Sequence, residues 1–121
     1  MRRWPRRAER SCRLDAYRAY EQATTLYYRN VRTILDGCFP GIDLAEQMRM
    51  VWITDAYLCS APVEGGSVPA ASWRTCAHDY LLPRLALLRD RAIVVLGRKA
   101  QARVAAFDGE VLAAGSVAPP A

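Results

Sequence analysis

The sequence predicts an α/β fold: a three-layer α/β/α sandwich around a short, mostly parallel sheet. Three observations point there. Two apolar runs, Met50-Val51-Trp52-Ile53-Thr54-Asp55 and Ala92-Ile93-Val94-Val95-Leu96-Gly97, are short, rich in β-branched residues and apolar on both faces. A parallel strand covered by helices on both sides reads this way. An amphipathic helical pattern lies between the runs, and the second run closes on a glycine that passes straight into helical sequence, as at the turn of a βα unit.

The elements follow in order. Tyr17, Tyr20, Thr24, Tyr27, Tyr28, Val31, Ile34 and Leu35 form one apolar stripe, with Arg18, Glu21, Gln22, Thr25, Arg29 and Arg32 opposite, so one helix is expected there. Gly37 and the Phe39-Pro40-Gly41 turn end it. A short helix is expected from Leu44 to Met48, then the first strand. Pro62, Gly65, Gly66 and Pro69 mark a loop, and Ser72 is the expected N-cap of the next helix. In that helix Trp73, Cys76, Ala77, Tyr80, Leu81, Leu85 and Leu88 recur at three- and four-residue steps, so one face packs on the sheet. Pro83 removes one backbone hydrogen bond and should kink it. The second strand, a helix over Arg98 to Phe107 and a last strand around Val111 to Ala114 complete the list.

Residues 1–13 are read as a basic, disordered leader, 14–116 as the α/β domain and 117–121 as a tail. The formal charge of +5 belongs to the leader, where Arg2, Arg3, Arg6, Arg7, Arg10 and Arg13 face only Glu9. The remainder is balanced, so a basic domain surface for nucleic acid does not follow from a pI of 9.3. The leader has no apolar core of a secretory signal, and no stretch has the apolar length of a membrane span. A soluble, cytoplasmic protein is expected. Few strands are visible for such a sheet, and the segment from Val111 to Ala121 runs from a strand-like start into a loop without a closing helix. The sequence is therefore read as part of a larger domain.

Four cysteines, Cys12, Cys38, Cys59 and Cys76, accompany a single histidine. With no CxxC pair, they are either buried thiols or ligands of a metal or cluster. Other sites carry less chemistry. His78 falls off the strongest apolar stripe, Gly65-Gly66 lacks the lysine of a phosphate loop, and Ser60 has neither an elbow motif nor a partner histidine nearby in the sequence. Arg98 and Lys99 open a helix and are candidate phosphate contacts, although solvated surface charges would look the same.

The segment Trp52-Ile53-Thr54-Asp55-Ala56-Tyr57-Leu58-Cys59-Ser60-Ala61-Pro62, then Cys76, Tyr80-Leu81-Leu82-Pro83-Arg84-Leu85 and Ile93-Val94-Val95-Leu96-Gly97-Arg98-Lys99-Ala100 resembles the central part of the uracil-DNA glycosylase superfamily. The likeness is to its iron-sulfur, family 4-like branch. There a strand ending in Ile-Thr-Asn leads to a Lys-Cys-Arg-Pro-Pro loop, a second cysteine opens the next helix, and a strand ends in a Leu-Gly-x-x-Ala turn. The match covers roughly residues 50 to 104.

The resemblance implies base-excision DNA repair, with DNA as partner. It places Cys59 and Cys76 at two of the four thiolates that hold a 4Fe-4S cluster; the upstream CxxC pair that supplies the other two is absent from this sequence. Asp55 stands where the family's asparagine reads the flipped base. An amide both accepts from uracil N3-H and donates to O4, whereas an ionised carboxylate only accepts, so an amino-bearing base edge suits Asp55 better. Capping a loop or pairing with an arginine is the other reading of Asp55. The family's Gly-Glu-x-Pro-Gly-type loop, with its water-directing acid, and its His-Pro-Ser-type loop do not occur in the sequence. No catalytic residue is assigned, and these residues alone are expected to be inactive. The alternative is a non-catalytic small α/β module that binds a protein partner, or itself, through an open sheet edge.

Overall fold

The computed structural model of the chain describes residues 15–59 and 66–117. The leader and residues 118–121 of the tail lie outside the described residues, as do Ser60 and the Pro62 and Gly65 loop positions. The chain divides into two compact units, one running up to Trp52 and taking in Val117, the other spanning Ile53–Ser116.

The first unit is helical: α1 over residues 15–22, α2 over Leu26–Cys38 and α3 over Leu44–Met50. The single helix expected from Tyr17 to Leu35 is two. Ala23 takes φ +47°, a left-handed conformation that interrupts an α-helix, and the Thr25 hydroxyl caps α2 by accepting from the Tyr28 N–H at 3.5 Å. The tyrosine stripe survives the break because Tyr20 and Tyr28 meet edge to face at 4.9 Å, and Tyr27 and Tyr28 at 5.2 Å. Gly41, at φ +73°, turns the chain after α2, and the Asp43 carboxylate caps α3 by accepting from the Glu46 N–H at 2.9 Å. Val31, Leu35 and Leu44 form the core of this unit, lined by Tyr17, Tyr20, Tyr27, Met48, Val51 and Val117.

The second unit contains the sheet. One continuous helical rod comprises α4 (Ala70–Cys76), a π turn (Ala77–Leu81) and α5 (Leu82–Ala86). Its N-cap is Pro69, whose carbonyl accepts from the Ser72 and Trp73 N–H groups, so Ser72 lies inside the helix and not at its cap. Pro83 has no N–H to give and its ring crowds the carbonyl one turn back; the wider π turn just before it accommodates that conflict without breaking the rod. β1 (Val94–Leu96), α6 (Arg98–Arg103) and β2 (Leu112–Ala114) then form a βαβ unit. The strands are parallel, with Val94 opposite Leu112, Val95 opposite Ala113 and Leu96 opposite Ala114.

The α/β class is as expected, and the described sheet has two strands. The expected strand at Met50–Asp55 is absent from it. Met50 is the last residue of α3, and 51–55 pair with no strand. The β-branched content of that run gives a local preference, but a strand also needs a partner. The helix expected to reach Phe107 ends at Arg103. Ala77, Leu81 and Leu85, spaced four apart on the rod, pack with Val95 of β1 and with Val104, and Ala56, Leu58, Leu82, Ile93, Ala100 and Phe107 complete this core. Among the described residues no helix is long and apolar enough to cross a membrane.

Candidate functional site

Two of the sequence-predicted site residues meet. Cys76 closes α4 and is buried, with Leu58 and Cys59 of the preceding segment against its sulfur. The preceding segment runs alongside it: the Leu58 N–H donates to Cys76 Sγ at 3.3 Å, and the Cys59 thiol donates to the same sulfur at 2.9 Å. Cys59 itself is exposed. Because its proton is held in the hydrogen bond to Cys76, the Cys59 thiol is pushed above its ordinary value; desolvation and the negative charge of Asp79 act in the same direction. The pair opens into a cleft of about 470 Å³ lined also by Ala71, Ser72, Thr75, Asp79 and Tyr80. His78 is bonded to Asp79 at 2.9 Å and lies exposed.

Cys38 is exposed and belongs to the helical unit, and Cys12 lies outside the described residues. Among the described residues no three of His, Cys, Asp or Glu gather as a metal site. A 4Fe-4S cluster takes four thiolates, and among the described residues the Cys59–Cys76 pair brings together two.

Asp55 is exposed on an unpaired segment, with its carbonyl accepting from the Thr54 hydroxyl at 3.3 Å. It does not stand at the carboxyl end of a sheet strand, where the resemblance puts the base reader. Arg98 and Lys99 are the exposed first two residues of α6, entered through Gly97 at φ +91°. Lys99 also lines a second cleft, of about 210 Å³, with Ser67, Val68, Trp73, Ala102 and Arg103.

Arg103, Trp73 and Tyr57 are the residues that sequence reasoning missed as a group. The Arg103 guanidinium lies 5.5 Å over the Tyr57 ring, and Arg74 lies 5.3 Å over Trp73. The four-residue step from Lys99 to Arg103 was the available signal, since it puts both cations on one face of a helix. Chemically the unit thus offers a dithiol and a cleft combining two cations with an indole. Compared with known proteins, the chain matches no family model, no curated protein and no solved structure.

Proposed function

We propose that this chain is a uracil-DNA glycosylase-like protein, its second unit corresponding to part of a three-layer α/β/α sandwich that engages DNA. The observation that carries the reading is the meeting of Cys59 with Cys76, at 2.9 Å, in the same unit as a parallel strand that turns through Gly97 into a helix. These are the parts whose order the resemblance rests on. DNA contact is assigned to the cleft of Lys99, Arg103 and Trp73, with Arg98 beside Lys99 on α6. Cations suit phosphate oxygens and an indole suits a stacked base.

Excision is not part of the proposal. Cleaving a glycosidic bond takes an activated water and stabilisation of both an oxocarbenium-like centre and the departing base anion. The sequence holds neither the acid-bearing nor the histidine-bearing loop that would supply these groups.

The test is fluorescence anisotropy with an oligonucleotide carrying one uracil. Binding should weaken steeply with salt, and Lys99→Glu with Arg103→Glu should lower affinity roughly tenfold or more. Absence of binding at low salt would overturn the reading. Excision that disappears in Asp55→Ala would overturn its non-catalytic part. Asp55→Asn should sharpen any preference for uracil, since the amide can both accept and donate.

One observation favours a second reading, a protein-docking module. A parallel sheet is ordinarily covered on both faces, yet Leu112 is 63% exposed and Val94 46%. Concentration-dependent self-association in sedimentation, abolished by Leu112→Lys, would support that reading.

A further inference from the structure

We propose that Cys59 and Cys76 form a reversible disulfide, a thiol–disulfide exchange site that ties the 53–59 segment to the helical rod. This goes beyond the DNA-binding reading and does not depend on it.

The two sulfurs lie 2.9 Å apart, inside the contact distance of two non-bonded sulfur atoms, with both thiols free. A disulfide bond is about 2.05 Å long, so closure takes a displacement of under about 1 Å. The approach is held from both sides. Cys76 is fixed in the helix with 2% of its surface exposed, and the Leu58 N–H, one residue before Cys59, anchors the neighbouring backbone to the Cys76 sulfur at 3.3 Å. No third protein ligand competes for the sulfurs among the described residues. Cys59 is exposed whereas Cys76 is buried, so an incoming disulfide reaches the Cys59 sulfur first.

That asymmetry sets the order of events. With oxidised glutathione as oxidant, the Cys59 thiolate attacks one glutathione sulfur, the glutathione disulfide breaks, and one glutathione thiolate leaves. Cys76, after losing its proton to solvent, attacks the Cys59 sulfur of the mixed disulfide and expels the second glutathione. The two cysteines together lose two electrons and two protons, and one glutathione disulfide becomes two glutathione thiols. Reduced glutathione or a dithiol reverses the sequence by the same steps.

The experiment uses the full chain, incubated with oxidised glutathione under native conditions, alkylated, and mapped by mass spectrometry. A peptide linking Cys59 to Cys76, lost on reduction and absent in Cys59→Ser, is expected. Cys59 is exposed, so its serine variant leaves the core intact. Cys38→Ser should retain the link. In the wild type, thermal unfolding should rise by roughly 10 °C between reducing and oxidising conditions, and Cys59→Ser should show no such rise. Full alkylation of both thiols after oxidation would overturn the proposal, as would pairing of either one with Cys12 or Cys38. Stoichiometric iron and sulfide in anaerobically purified protein, with Cys59 and Cys76 protected from alkylation, would overturn it in favour of a cluster.

Discussion

The Gln47 side-chain amide donates to the Asp36 carboxylate at 2.9 Å and to the Phe39 carbonyl at 3.2 Å, tying α3 to the end of α2. Gln47 is 1% exposed, the one buried polar residue among those described. Truncating it returns the exposed Asp36 carboxylate to water and leaves the half-buried Phe39 carbonyl without this donor. Gln47→Ala should therefore destabilise the helical unit by about 2 kcal/mol, read as a lower urea midpoint. An unchanged midpoint would show that water replaces the amide without cost.

Gly97 is required by its backbone and not by its neighbour, since the Ser116 approach is an ordinary van der Waals distance. At φ +91° a side chain is strained, and a Cβ there would meet Ser116 Cβ at 3.4 Å. Gly97→Ala should cost about 2 kcal/mol. Adding Ser116→Gly should recover nothing, since the dihedral strain remains; recovery in urea unfolding would mean that crowding was responsible.

Leu81 and Leu87 are six residues apart on the same stretch of chain and should respond oppositely. Leu81 is 2% exposed and packs among Ala77, Leu85, Val95 and Val104, whereas Leu87 is 82% exposed. Leu81→Ala should cost about 3 kcal/mol, while Leu87→Ser should stay within about 0.5 kcal/mol. Equal losses in chemical unfolding would contradict the placement of the rod's buried face.

Cys59 makes stability fall at alkaline pH. Its thiol is raised because it donates to Cys76, so the folded chain keeps the proton at pH values where the unfolded chain has lost it. The contribution is whole below the ordinary thiol range and declines as pH rises through and above it. Alkylation of Cys59 by iodoacetamide, which follows the thiolate, should inflect at higher pH in the folded protein than in urea. Cys76→Ala should bring the two curves together.

The βαβ unit was legible because each of its signals is local: a β-branched run, a glycine, then helical sequence, all within Ala92 to Arg103. The rod was legible through its stripe, which stays in phase across Pro83, although a π turn is invisible to periodicity. Two features were not legible. The tyrosines on either side of Ala23 obey one helical spacing, and only the threonine pair before Leu26 hinted at a new start. Met50 to Asp55 has strand composition, but pairing is decided by distant residues, and α3 takes the first of them. At the site, the cysteines were singled out by type, whereas their 2.9 Å approach depends on how the 53–59 segment packs.

The β1–β2 ladder has a bearing on the order of folding. Parallel strands cannot zip outward from a tight turn, because each register pair is eighteen residues apart in sequence with α6 between. Closing that loop costs chain entropy before any ladder bond repays it. Helix α6 and the rod can form from neighbouring contacts, and Leu112 can donate to the Ile93 carbonyl only once the crossover is in place. The sheet that defines the fold class is thus expected to assemble after α6 and the rod, with α6 as its clasp.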